Sequence, residues 1–446
     1  MVCGDELAWS AGVGFADVAA RQASNPTMLY PIASITKTLT GTAVMQLRDA
    51  GQLDLDDPAV TWLPELRSMT SPFGPVEAVT IRRMLSHESG LAAEPPGTDW
   101  AIPAYQGAPE QTLAHASEVR MTVPPHSQHK YSDLAYQLLG EIVTRASGTP
   151  FPRYLRDAVL DPLGMAATDF PPLPAGLAAR CATGYTWRAL SDERDVAPAM
   201  PLVWAEGGLW SCVDDLARWV SFQLAAYRGP AATPPTAPTA PAAALAAASL
   251  REMHRPRYLA DDQWTRAWGI SWCGTRRQDV TWIGHAGGIP GFTSGICFDP
   301  AAQVGAVVLI NGDSASAALC MEIAELARNL ARDPRPEITP PAPTPESYRP
   351  LLGIYARPDL GGWVLRLEWR DGQLLFTTAE SPAWQIVLAP TTVPDVFTIT
   401  SDDNLSGEQA VFRRLRDGRI ASVLLAETTW ARLEHAADRL DERSDA

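Results

Sequence analysis

The sequence predicts a two-domain protein: a large α/β (α+β) domain followed by a small all-β antiparallel barrel. Three observations predict it. At 446 residues the chain exceeds one ordinary domain and suits a large and a small one. Helical and strand patterns alternate along the first three quarters, with strands at both ends and helices between, which implies a sheet closed by distant segments and a helical insertion. Beyond the Pro-rich stretch at residues 334–345, nearly everything alternates with the period-two pattern of half-buried strands. The boundary is therefore placed as a domain over residues 1–333, a linker over 334–345, a barrel over 346–436 and a polar tail over 437–446.

In chain order, residues 6–15 read as a strand and residues 34–50 as a helix that Gly51 stops with a left-handed cap. Further helices fall at 133–147, 152–159, 213–226 and 316–331. Strands fall at 268–273, 280–284, 293–299 and 305–311. Residues 229–248 (GPAATPPTAPTAPAAALAAA) cannot pack a core and read as an exposed, mobile insertion. In the small domain, Trp363, Leu365, Leu367 and Trp369 share one strand face, with Arg366 and Glu368 opposite. Asp371-Gly372 and Asp417-Gly418 then supply hairpin turns. Repeated hairpins without helices indicate a small antiparallel barrel or sandwich.

Composition narrows the function. A net charge of -15 repels a phosphate backbone and excludes a nucleic-acid surface. The six cysteines form no CxxC pair and no Cys/His cluster, so neither a zinc site nor a disulfide framework is expected, and the spacing suits a reducing compartment. No apolar run reaches membrane-spanning length and no signal-like start is present, so the expected location is cytoplasmic.

Of 36 basic residues only Lys37 and Lys130 are lysine. Arg serves wherever a plain charge suffices, so a retained Lys points to a need to lose its proton, which Arg cannot do. Lys37 lies one helical turn after Ser34, in Ser34-Ile35-Thr36-Lys37, where it can take the serine's proton and create a nucleophile. Taken alone, the same four residues suit an N-cap serine with an ordinary first-turn lysine. Tyr131-Ser132-Asp133 opens a helix after a Pro-rich loop, and His285-Ala286-Gly287-Gly288 closes a strand. Spacing alone leaves Tyr131 equally suited to capping the loop–helix junction, and His285 to a satisfied turn histidine. Leu85-Ser86-His87-Glu88-Ser89-Gly90-Leu91 reads as a packing element, so His87 is taken as structural. Lys130 points away from Tyr131 on an extended segment and is taken as solvated.

Together these motifs resemble the penicillin-binding-protein-like and class C β-lactamase-like serine hydrolases, in which S-x-x-K, Y-x-N and a K-T-G or H-x-G strand converge on one cleft. Ser34/Lys37, Tyr131/Asp133 and His285/Gly287 occur in the family's order, with similar flanking text at Gly51-Gln52-Leu53-Asp54, Asp161-Pro162-Leu163-Gly164-Met165 and Gly207-Gly208-Leu209. The likeness covers about residues 6–330, and the trailing domain is similar to the lipocalin-like barrel of some members. It implies a serine β-lactamase-like fold, with an antiparallel sheet flanked by helices and a helical subdomain. Relative to the family the N-terminus is short, so the location stays provisional.

The resemblance implies that Ser34 becomes the acyl-serine, that an uncharged Lys37 acts as base and that Tyr131 relays the proton. The oxyanion donors are the backbone N–H groups of Ser34 and Gly288. Gly287 lets the strand approach the ligand, and His285 gives a weak, pH-dependent pull on a substrate carboxylate. Asp133 departs from the family's Asn: a carboxylate accepts where an amide donates, and it favours a charged Lys37. That disfavours penicillin hydrolysis and leaves esters, amides and thioesters open. The expected activity is a serine hydrolase for small esters or D-residue peptides, with no metal and no cofactor. The alternatives are an acyltransferase or peptide cyclase taking a carrier-protein-bound substrate, and a non-catalytic ligand-binding pseudoenzyme.

Overall fold

The computed structural model describes residues 1–97, 109–187, 194–196, 205–228, 244–277, 279–312, 314–332, 343–357, 363–370, 372–378, 385–400, 405–425 and 428–432. Most of the expected insertion (229–243), part of the linker (333–342) and the tail (437–446) lie outside the described residues. The chain divides into two compact units. One comprises Met1–Gly184, Ala197–Gly312 and Ser316–Arg335, and the other Tyr185–Val196, Asp313–Ala315 and Pro336–Ala446.

The first unit is built on an antiparallel sheet of eight strands. Their order is Glu6–Leu7, Val2–Cys3, Val304–Ile310, Phe292–Asp299, Val280–Ile289, Cys273–Arg277, Arg266–Trp268 and Tyr258–Leu259. The N-terminal strands thus pair with the last strand of the domain, the closure by distant segments that the alternation of patterns implied. Side-chain alternation buries both faces. Ile296 and Phe298 join the main core with Trp219 and Val220 of helix Val213–Ala225, while Cys297 packs with Ala306, Val308 and the Cys320 and Ala324 side chains of helix Ser316–Arg332.

Four expected elements differ. Residues 6–15 do not form one strand; Gly4, at φ +59°, turns Val2–Cys3 back onto Glu6–Leu7 as a tight hairpin. Residues 268–273 form the ends of two strands, because Gly269 N–H bonds Trp272 O at 2.8 Å and closes a turn between them. The strand carrying His285 does not end there but runs on to Ile289. Residues 244–248 are exposed only in part: Ala246–Ala248 face solvent as expected, but Leu245 is buried and helix Ala247–His254 has begun. The cysteines also come closer than their spacing suggests, since Cys297 Sγ and Cys320 Sγ lie 3.5 Å apart as free thiols.

The second unit contains a closed antiparallel barrel of eight strands between Gly353–Arg357 and Thr428–Arg432. Leu365 and Leu367 point inward, as the alternation requires, and Val364 is exposed. Tyr355, Phe376, Phe397 and Phe412 fill the interior with mutual ring contacts, so this barrel is a packed core. Gly372 and Gly418, both at positive φ, make the turns expected of them. Hairpin Tyr185–Trp187 with Arg194–Val196, which nothing in the sequence placed with the second unit, groups there.

Candidate active site

The helix Thr36–Asp49 is buried on nearly every side, which is costly for a segment with four threonines unless each hydroxyl finds a partner. The structure supplies them. Thr38 donates to Ile35 O at 2.8 Å, Thr42 to Thr38 O at 3.0 Å and Thr40 to Ala205 O at 2.6 Å. Thr36 Oγ accepts from Leu209 N–H at 3.3 Å. A 3-10 turn, Ala33–Ile35, leads into this helix and carries Ser34. Ala33 adopts φ +46°, a left-handed conformation that a non-glycine residue holds only under external constraint. The constraint is visible next door, where Ile32 N–H bonds Leu209 O at 2.9 Å and Ile32 O accepts from the Ser294 hydroxyl at 2.8 Å.

One turn on, Lys37 is fully buried. Its Nζ donates to Ser34 Oγ at 3.0 Å and to Glu206 O at 2.5 Å, and pairs with Asp133 Oδ1 at 2.5 Å. The Tyr131 phenol interacts with both Ser34 and Lys37, and the Lys37 ammonium lies 5.1 Å from the Tyr131 ring centroid. Tyr131 immediately precedes Ser132, whose hydroxyl caps helix Asp133–Ser147 by accepting from Ala135 N–H at 3.0 Å. The helix start thus aims Tyr131 and Asp133 at the turn that carries Ser34. Ser34, Lys37, Tyr131 and Asp133 meet.

The charge state differs from the expected neutral amine. Burial presses Lys37 to give up its proton, but Asp133 and then Tyr131 hold it, and the balance raises the amine above its ordinary value. Tyr131 is also raised, mainly by burial, against the pull of Lys37. At neutral pH both carry protons.

His285 corrects a second expectation. Its Nδ1 lies 2.6 Å from Ala286 O, and because a carbonyl can only accept, Nδ1 carries the hydrogen. Burial, followed by the Lys37 charge, pushes the imidazole down to about 3. It is neutral across the physiological range and gives a carboxylate no pH-dependent pull. Gly287 is also needed within the fold itself. A Cβ there would stand 2.3 Å from Ile32 O and 2.4 Å from Ser294 Oγ, so the strand closely approaches the turn that carries Ser34. At Gly288 a Cβ would meet nothing within 4 Å.

Three participants escaped the sequence reading. His87 stacks on Tyr131 with ring centroids 4.1 Å apart, Trp268 meets His87 edge-on at 4.7 Å, and the Glu206 carbonyl anchors Lys37. The sequence marks His87 only as part of the Leu85–Leu91 packing element. Lys130 is half-buried rather than fully solvated, and its N–H bonds His87 O at 2.9 Å. Among the described residues, no group of three or more His, Cys, Asp or Glu side chains could hold a metal ion, and no helix is long and apolar enough to cross a membrane.

A serine in the turn that opens a core helix, a buried lysine one turn on, a tyrosine just before a second helix and a flanking antiparallel strand are the arrangement of the β-lactamase and penicillin-binding-protein class. The β-lactamase family model matches residues 2–327, and the chain belongs to that family. It is 29% identical over 342 residues to penicillin-binding protein 4 of Amycolatopsis lactamdurans, covering 74% of this chain and 84% of that protein. It is also 29% identical over 198 residues to the D-alanyl-D-alanine-carboxypeptidase/endopeptidase AmpH of Escherichia coli, covering 44% of this chain and 49% of AmpH. In fold it is similar to the octameric penicillin-binding protein homologue from Pyrococcus abyssi, with a TM-score of 0.61 and 23% identity over 96% of this chain and 94% of that one.

Proposed function

We propose that the protein is a serine hydrolase acting on D-residue peptides or small esters through an acyl-enzyme on Ser34. The observation that carries this reading is the hydrogen bond from Lys37 Nζ to Ser34 Oγ at 3.0 Å, with the Tyr131 ring 5.1 Å from the same amine. Ser34 attacks the acyl carbonyl, and the minority of molecules with a deprotonated Lys37 take its proton. Tyr131 returns a proton to the leaving group. Ser34 and Gly288 N–H groups receive the oxyanion, the first at a helix start and the second on the part of its strand that strand Cys273–Arg277 does not pair. The relative named a D-alanyl-D-alanine-carboxypeptidase/endopeptidase supports the D-peptide class.

Asp133 narrows the substrate. Its carboxylate only accepts and is engaged by Lys37, so it gives no hydrogen bond to a β-lactam side-chain carbonyl. Neither Lys37, already paired, nor His285, held neutral, offers a free positive charge to a substrate carboxylate. Esters, amides and internal D-peptide bonds suit this site better than penicillins. Product analysis on matched D- and L-residue amides, p-nitrophenyl esters and a penicillin tests the reading. It predicts turnover of esters or D-residue amides that Ser34→Ala abolishes, with penicillin hydrolysis weak at most. Undiminished turnover in Ser34→Ala would refute it, and an acyl group delivered to an added amine rather than to water would identify a transferase.

A further inference from the structure

We infer that His87 is a positioning residue that sets the Tyr131 phenol on the Ser34–Lys37 pair, an assignment that rests on the acyl-serine reading above. Two peptide N–H groups flank Tyr131, and both end on His87. Lys130 N–H bonds the His87 carbonyl at 2.9 Å, and Ser132 N–H bonds the His87 Nδ1 at 3.2 Å. Between these two anchors the imidazole lies under the phenol, with centroids 4.1 Å apart and planes at 26°. Backbone on either side of Tyr131 and the face of its ring are therefore fixed by one residue.

The fixed part is itself well held. His87 is fully buried, with Trp268 meeting its ring edge-on at 4.7 Å and Tyr136 tilted against it at 5.2 Å. His87 N–H bonds Met84 O at 3.3 Å and Glu88 N–H bonds Arg83 O at 2.8 Å, closing the turn after helix Ile81–Leu85. His87 adopts φ +59°, a conformation where glycine or asparagine is the ordinary choice. A histidine kept at such a position indicates a use for its ring. The ring chemistry says which. Because Nδ1 accepts from Ser132 N–H, the hydrogen must sit on Nε2, and the imidazole must stay neutral to keep the anchor. Burial, with the Lys37 charge adding to it, keeps it so by pushing its proton affinity well below the ordinary value. A residue that merely filled space would need neither the acceptor nor the tautomer.

The hydroxyl of Tyr131 has to reach two partners at once, and a displacement of about 1 Å at a catalytic group costs up to about a hundredfold in rate. The test is a double-mutant cycle on ester turnover, with folding of each variant checked by its melting curve. His87→Ala removes both acceptor and stack. It should lower kcat about tenfold or more with KM within about twofold, and it should add no further loss when placed in Tyr131→Phe. His87→Asn tolerates the left-handed backbone and offers an amide oxygen to Ser132 N–H, so it should recover most of that loss. If His87→Ala does not fold, His87→Asn against the wild type in both Tyr131 backgrounds carries the same comparison, with the smaller loss expected from the missing stack again absent in Tyr131→Phe. Equal losses from either His87 variant in the two backgrounds, or no loss at all, would overturn the assignment while leaving the Ser34 reading intact. Turnover surviving in Ser34→Ala would remove both.

Discussion

Asp133 decides the protonation of Lys37. Burial is the strongest influence on this amine and acts to strip its proton, yet the carboxylate 2.5 Å away reverses the outcome. Among the titratable groups around the amine, which include Tyr131, Tyr136, His87 and His285, Asp133 favours the ammonium most. In Asp133→Asn burial prevails and Lys37 gives up its proton at lower pH. The rising limb of kcat/KM should therefore move toward neutral pH by about one unit or more. An unmoved limb would show that Lys37 is not the base. At this scale Ser34, Lys37 and Tyr131 were legible in the sequence, because each lies in a short motif at a helix start. The acceptor nature of Asp133 and its preference for a charged Lys37 were legible too. The tautomer of His285 and the grip of His87 on Tyr131 were not, since each depends on a backbone contact that residue spacing does not encode.

The strand Val280–Ile289 meets the turn that opens helix Thr36–Asp49 where Gly287 passes Ile32 and Ala33. No side chain fits there. Gly287→Ala must push the strand off the nucleophile turn, and overpacking of this kind costs about 1–3 kcal/mol. It should lower the melting temperature and slow Ser34 acylation together, and a melting temperature equal to that of the wild type would contradict the close approach. The long helices were readable because helical patterns run for several turns and end in recognisable caps, such as Gly51 at φ +68° and Gly148 at φ +69°. The split strand near residues 269–272 and the two-residue strands at the N-terminus were not, because tight turns interrupt them before a period of two can show.

Across the whole molecule, buried neutral histidines make folding sensitive to acid. His254 and His285 are each held down to about 3 by burial, while an unfolded histidine titrates near 6.5. Below that pH the unfolded chain binds more protons than the folded one. The stabilisation is complete above about pH 6.5 and drains away as pH falls toward the folded values, by about 2 kcal/mol for each such histidine by pH 5. The melting temperature should be flat from pH 7 to 8 and fall steeply from pH 6.5 to 5, with His254→Gln reducing the slope. A constant melting temperature over that range would show that these imidazoles are not buried as neutral groups. The division into an α/β unit and a barrel was legible from the change of period near the Pro-rich stretch, whereas the hairpin at Tyr185–Val196 carried no such marker.

Everything in the proposed activity depends on Ser34 being the atom that takes the acyl group. The direct measurement is peptide mapping by mass spectrometry after brief exposure to a fluorophosphonate or an activated ester. A single adduct on the peptide bearing Ser34, formed faster as pH rises and absent in Ser34→Ala, is the predicted result. An adduct on another residue, or equal modification of Ser34→Ala, would contradict it.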